Sequence, residues 1–245
     1  MAQRCCWSSD DGPSLSVPNG REQHPRDIVV VAERPAGGVR RPLGRRGGEF
    51  GGYARSVVTV LLETPRLVLR QFTMDDADEL VRLNADPEVM RYVPDAIATS
   101  REEVETEILP VFLGYYERFS GYGFWAVIEK STGEFLGWFH LRPGPDAGPG
   151  EAELGYRLRQ SAWGRGYATE GSHALIRAGF TRFGMRRVTA EAMAANVASR
   201  RVMEKAGLKL VRTFHQNWPH PMEGEELGVV EYALDKADWE RNEDR

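Results

Sequence analysis

The chain has 245 residues, of which 41% are hydrophobic and 28% charged, with a net charge of −4 at pH 7. That length holds one well-cored domain plus an appendage, and the composition is ordinary for a soluble globular protein. No run approaches the roughly 18 apolar residues of a membrane span, the start lacks the apolar stretch of a secretory signal, and the two cysteines, Cys5 and Cys6, are chain neighbours, so disulfides are excluded from the fold and a cytoplasmic location is expected.

Residues 1–57 contain nine glycines and five prolines, with Ile28-Val-Val-Val31 as their one apolar run. So little apolar surface cannot offset the entropy of ordering. This stretch is expected to be a disordered or loosely attached extension, or upstream sequence ahead of a start near Val58; an Arg/Gly tail that touches RNA is the competing role. Nine arginines against six acidic residues give it +3, which leaves −7 on the rest of a chain that totals −4. No nucleic-acid binding is expected of the acidic remainder, residues 58–245, because phosphate backbones need a basic face. That charge suits a cationic amine, and an ordinary solvated surface accounts for it as readily.

From Pro65 the periodicity becomes regular. Residues 66–72 alternate as a strand should, and Thr73 can cap a helix over 74–83 with Leu80 and Leu83 inward. Ser100 and Glu103 have capping-box spacing for a helix carrying Val104, Ile108, Val111 and Phe112, which Pro110 should kink or divide. Residues 123–128 and 135–141 read as hairpin strands around Ser131-Thr-Gly133, and 143–150 as a loop on composition alone. A strand over 153–158, a helix from about 168 to 183 and a strand near 187–192 follow. Asn196 then caps a helix ending at Gly207, and strands near 208–215 and 226–234 close the chain.

The turn Trp163-Gly-Arg-Gly-Tyr-Ala-Thr-Glu170 leaves the strand of Glu153-Leu-Gly-Tyr-Arg-Leu158 and enters a helix. Gly164 and Gly166 leave no Cβ in the way, so backbone N–H groups can close around an anion at the positive end of that helix. Spacing separates three seats of this kind. A P-loop needs Gly-Lys-Ser/Thr, and no lysine is present. A dinucleotide fingerprint needs a third Gly or Ala where Thr169 stands, and it opens its domain, whereas about a hundred patterned residues precede this turn. The third is an acyl-CoA turn, Gln/Arg-x-x-Gly-x-Gly/Ala, with Trp163, Gly166 and Ala168 in its places.

Thr64-Pro-Arg-Leu-Val-Leu-Arg70, Glu153-Leu-Gly-Tyr156, the turn from Trp163 to Glu170, and Asn196-Val-Ala-Ser-Arg-Arg-Val-Met-Glu-Lys-Ala-Gly207 occur in that order. On these motifs residues 60–240 resemble the branch of the GNAT acetyltransferases that includes RimJ and RimL. The resemblance implies an α/β (α+β) fold: a mixed, mostly antiparallel sheet of roughly six to seven strands, with splayed central strands and about four flanking helices. It implies an acetyl-CoA-dependent N-acetyltransferase acting by direct attack in a ternary complex, with no metal and no covalent cysteine. Pyrophosphate would rest on Trp163, Gly164, Arg165, Gly166, Tyr167, Ala168 and Thr169. The strand edge at Leu158 would pair with pantetheine and offer a backbone N–H to the thioester carbonyl. Arg165 is either a phosphate contact or a solvated loop arginine, and Asn196 is both helix cap and CoA contact.

Ser199 is implied as the hydroxyl beside the CoA sulfur. Met203 stands where many members have a tyrosine general acid, so the identity of the acid is open. Glu153 is the candidate base, against the alternative of a solvent-facing strand residue. The acceptor sets how strong that base must be: an α-amine of pKa about 7.8 is partly neutral at pH 7, while a lysine near 10.4 costs on the order of 3.5 kcal/mol more. A weakly equipped site therefore favours an α-amine or another low-pKa amine, and the resemblance to this branch tilts the acceptor to a protein or peptide N-terminus, with an amino acid, polyamine or aminoglycoside as other acceptors. Trp125 and Trp218 are candidate walls of the acceptor site, Trp218 within a proline-rich loop that interrupts the last two strands. The histidines have no metal spacing. The alternative function is a non-catalytic acyl-CoA-binding module, and either a monomer or a homodimer is expected.

Overall fold

The computed structural model describes residues 58–93, 99–144, 147–218 and 222–243. The expected extension over residues 1–57 lies outside the described residues, as do Pro219, His220 and Pro221 of the proline-rich loop.

Eight strands form one sheet in the order β1-β2-β3-β4-β5-β6-β8-β7. In chain order they are β1 (Val60–Glu63), β2 (Leu67–Gln71), β3 (Gly123–Glu129), β4 (Phe135–Arg142), β5 (Glu151–Leu158), β6 (Arg187–Met193), β7 (Lys209–Phe214) and β8 (Val229–Asp235). The expected count was six to seven. The added strand is β1, which pairs antiparallel with β2 across Thr64-Pro-Arg66 and is too short to carry an alternation of its own.

Two apolar layers cover the sheet. On one face helix α5 (Tyr167–Thr181) packs over Phe139, Leu141, Leu154 and Leu158. On the other, α1 (Ala77–Asn84), the short α2 (Pro87–Met90) and α4 (Leu109–Arg118) pack around Phe124, Ala126 and Trp138. Ser100 and Glu103 form the capping box their spacing foretold, opening α3 (Arg101–Glu103). Pro110 does not cut the helix in two. Ahead of it lies a π stretch, Val104–Ile108, whose wider turn brings Val104, Leu109 and Phe112 all into the core. Helix α6 (Val197–Lys205) begins where Asn196 Oδ1 accepts the Ser199 N–H at 3.0 Å. The closing helix, α7 (Lys236–Glu243), buries no residue and has no amphipathic pattern to announce it. Its Trp239 leans on Phe180 at 5.5 Å between rings.

One junction sets the site. Every neighbouring pair of strands is antiparallel except β5 and β6, which run parallel and pair only at Glu151↔Arg187, Ala152↔Val188 and Glu153↔Thr189. Past Glu153 they part, while β5 stays paired with β4 as far as Leu158↔Gly137.

Candidate active site

At the open end of β5 the Arg159 N–H donates to Leu136 O at 2.8 Å, so alternation turns the N–H and C=O of Leu158 toward the parted side. The Trp163 indole Nε1 donates to that Leu158 carbonyl at 2.9 Å and fixes the turn against the strand. Gly164 and Gly166 then take φ of +70° and +80°, and a Cβ on Gly164 would meet no protein atom within 4 Å. Gly166 caps α5, whose first intrahelical bond runs from Glu170 N–H to Gly166 O at 3.0 Å. The N–H groups of Tyr167, Ala168 and Thr169 thus have no acceptor within the helix and point at the concave side of the turn. Unpaired N–H groups at a helix N-terminus are the kind of donors that suit an anion.

The side chains of the turn are engaged elsewhere. Arg165 donates to Glu129 at 3.1 Å and lies over the Tyr167 ring at 4.8 Å, with Arg66 over the same ring at 4.5 Å. The Tyr167 hydroxyl also donates to Glu129; this bond, then one from Thr132, with Arg165 adding its charge, holds the Glu129 carboxyl below its usual range. Arg66 is committed to Glu170. Arg165 and Tyr167 therefore offer the seat their backbone, and their side chains lock the turn to the end of β3.

On the α1/α4 face of the sheet the cross-strand pairs are Trp138↔Arg157, His140↔Gly155 and Arg142↔Glu153. Gly155 is required there: a Cβ would stand 2.4 Å from His140 Cε1, because the imidazole lies directly on the strand. His140 is 6% exposed, packed on Trp138 and edge-on to Phe124, and neither ring nitrogen has a hydrogen-bond partner among the described residues. Burial lowers its pKa more than Glu153 raises it, so the ring is neutral at pH 7. Glu153 is not a solvent-facing residue: its side chain is 19% exposed. Burial alone would raise this carboxyl, but His140 at 3.7 Å, which takes up charge as the pH falls, and Arg142 at 3.0 Å override it and hold it at about 2. It is ionised at any working pH, and weakly basic. Arg157 donates from Nη1 to Asn84 Oδ1 at 2.7 Å and lies 5.1 Å from the Trp138 ring centre. Burial, with no carboxylate to oppose it, pushes its pKa down to about 10.

On the α5 face, Tyr156 spans the gap between the parted strands. Its hydroxyl lies 3.0 Å from Ser199 Oγ and 3.1 Å from Ser199 O, in the first turn of α6. Burial, only partly opposed by Ser199, raises the phenol to about 12, so it keeps its proton through the neutral range. Met203 is 1% exposed and fills core.

Of the two tryptophans expected to wall the acceptor site, Trp125 requires correction. It is 2% exposed within the α5-side core and has no surface to offer. Trp218 is half-buried beside the undescribed part of its loop. That loop is tied to the other side of the opening by Arg91, whose Nε donates to Glu223 at 2.7 Å. The sequence pointed to Glu153, Leu158, Asn196, Ser199 and the turn; it missed Tyr156, His140, Arg157 and Asn84. Tyr156 and Arg157 sit inside a quoted motif, and their position between two singled-out residues was the available signal. No cluster of three or more potential metal ligands occurs among the described residues, and none of their helices is long and apolar enough to cross a membrane.

Residues 66–209 match the family described as "Acetyltransferase (GNAT) domain". The chain is 33% identical over 189 residues to the FsC-acetyl coenzyme A-N(2)-transacetylase of Aspergillus fumigatus, covering 74% of this chain and 78% of that protein. It is 32% identical over 187 residues to the uncharacterized N-acetyltransferase p20 of Bacillus licheniformis, covering 73% and 97%. Among solved structures, the RimL ribosomal-protein alpha-N-acetyltransferase in complex with coenzyme A superimposes with a TM-score of 0.62 at 20% identity, covering 72% of this chain and 97% of that one. Spermidine N-acetyltransferase from Vibrio cholerae, in complex with CoA and spermine, does so with 0.60 at 15%, covering 72% and 99%. At those identities the structures speak for the fold alone. With the family matched over more than half its length, the chain belongs to the GNAT acetyltransferases and is an acetyl-CoA-dependent acyltransferase.

Proposed function

We propose that the chain transfers the acetyl group of acetyl-CoA to a primary amine by direct attack, with both substrates bound together. The observation that carries this reading is the parting of β5 from β6 after Glu153, beside a glycine cradle at the N-terminus of a 15-residue helix. The cradle of Gly164, Gly166 and the first N–H groups of α5 would hold pyrophosphate, and the open edge of β5 would pair with the pantetheine amides. Asn196, at the start of α6, would contact the same arm. The thioester supplies an acyl group already activated toward amines. The Leu158 N–H, facing the gap, would polarise its carbonyl.

The amine would approach from the face of Glu153 and Arg157. As its nitrogen bonds to the acyl carbon and the carbon–sulfur bond breaks, one amine proton passes to solvent through water held at Glu153. The sulfur leaves as thiolate beside Ser199 and Tyr156, whose paired hydroxyls can hydrogen-bond it until water returns a proton. Because Glu153 is held near pKa 2, it orients the amine and its water and neither keeps the proton nor strips a protonated amine. This favours acceptors already partly neutral at pH 7, an α-amine above a lysine side chain. Trp218 and its loop would close the acceptor side, and the reaction needs no metal.

The test is thiol release from acetyl-CoA against peptides with free N-termini, amino acids, polyamines and aminoglycosides. Turnover with one class supports the reading. Binding of acetyl-CoA without thiol release from any amine would leave a non-catalytic acyl-CoA-binding module in its place.

A further inference from the structure

We infer that the acceptor carries a carboxylate as well as its amine, and that Arg157 receives it. This rests on the acetyl-transfer reading above and narrows it to a substrate class. A guanidinium withdrawn from water costs several kcal/mol unless an anion accompanies it. The neighbouring arginines obey that rule: Arg142 pairs with Glu153, Arg159 with Glu79, Arg165 with Glu129 and Arg70 with Asp76. Among the described residues Arg157 has no carboxylate within 4 Å, only the neutral oxygen of Asn84 and the face of Trp138.

Those two contacts orient the group and leave most of it unused. Arginine has five N–H donors in a rigid fork, and one hydrogen bond is accounted for by Asn84. Its Nε and Nη2 have no partner among the described residues and are not fully buried, so solvent reaches them. Asn84 is itself 6% exposed and held near Thr99, and the Trp138 ring supports the guanidinium plane. A fork held in this way is built to receive a planar oxyanion.

Its position says which molecule brings the anion. Arg157 projects to the α1 side of β5, whereas α5, with the phosphate cradle at its N-terminus, packs on the other face. The phosphates of CoA are therefore not its partners. Arg157 shares its face with Glu153, four residues and about 13 Å of strand away. Between them lies Gly155, covered by the neutral His140 ring. Arg142 already balances Glu153, so the charge that a ligand on this face meets unopposed is the Arg157 guanidinium. That charge suits an amine that also bears a carboxylate, such as an amino acid. It opposes polyamines and aminoglycosides, whose further cations would face Arg157.

The experiment compares matched acceptors, alanine, leucine and glutamate each beside its α-carboxamide, together with spermidine, in wild type, Arg157→Gln and Arg157→Lys. The carboxamides have the lower amine pKa and higher intrinsic reactivity at pH 7, so only recognition can reverse the order. The expected result is a carboxylate-over-carboxamide ratio of kcat/KM that falls by about 30-fold in Arg157→Gln. The loss should lie mainly in the acceptor KM, with the KM for acetyl-CoA kept, and Arg157→Lys should fall between. An unchanged ratio in Arg157→Gln, or a wild type that prefers spermidine, overturns the inference.

Calorimetric titration of N-acetyl-leucine needs no turnover and separates the two claims. Binding weakened about 30-fold by Arg157→Gln supports the carboxylate site even if no amine is acetylated, an outcome that would sink the transfer reading instead. Equal binding by both proteins, beside active transfer to uncharged amines, would sink the carboxylate site and leave the transfer standing.

Discussion

Gly164→Ala and Gly184→Ala form a matched pair that isolates the cradle. Both glycines are exposed and left-handed, at φ of +70° and +69°, and a Cβ on either would meet no protein atom within 4 Å. The two flank α5, whose 15 residues separate them by about 22 Å. Each alanine pays the left-handed penalty of roughly 1–2 kcal/mol, and no other cost is visible in the protein. For a domain of this size that lowers Tm by about 2–8 °C in both variants. Only the Gly164 methyl would project into the space assigned to pyrophosphate. Displacing one charge-assisted N–H contact there costs about 1.5–3 kcal/mol, or roughly 10- to 150-fold in affinity. Differential scanning calorimetry reads the first quantity and isothermal titration with acetyl-CoA the second. Equal thermal losses with unchanged acetyl-CoA affinity in Gly164→Ala would mean that the anion sits elsewhere, and the reasoning from the turn would fail.

Further outcomes follow from the two faces of β5. Glu153→Gln should lower kcat by about 100-fold, while wild-type kcat/KM shows no inflection from this carboxylate between pH 4 and 6, its pKa being about 2; an inflection there that Glu153→Gln removes would contradict the assignment. The same depression acts on stability. The folded pKa lies below the ordinary 4.5, so the contribution is complete above that value and lost as pH falls toward 2. The unfolding free energies of wild type and Glu153→Gln, measured in urea, should converge over that window. Tyr156→Phe and Ser199→Ala should each lower kcat by about tenfold or less, and the double variant little further, because one bond joins them; multiplicative losses would show that they act separately. Gly155→Ala should cost about 1–3 kcal/mol in urea unfolding, because the His140 ring has no room to withdraw between Trp138 and Phe124.

What was legible in the chain was local. The cradle could be read because its glycines, its helix and its strand lie within about twenty consecutive residues, and the Ser100 and Asn196 caps act over three. The parting of β5 and β6 came from the resemblance; no local pattern announces where two parallel strands stop pairing. Trp125 was misplaced because all but one residue of β3 are buried, both faces being covered, so alternation along it cannot tell cleft from core. Arg157 finds Asn84 across 73 residues, and Tyr156 finds Ser199 across 43. Such pairings are made by topology, and a single sequence carries no local trace of them.

The short pairing between β5 and β6 has a mechanical side. Five strands on one side and three on the other are each joined throughout by antiparallel ladders, yet three residue pairs connect the two halves across the sheet. Few ladder bonds cross that seam, so β6, β7, β8 and α6 are held to the other half chiefly by the core they share with it. A molecule threaded into the gap and bonded to both sides acts there as a keystone. Binding would then be felt well beyond the residues it touches, as slower amide exchange throughout the three-stranded half.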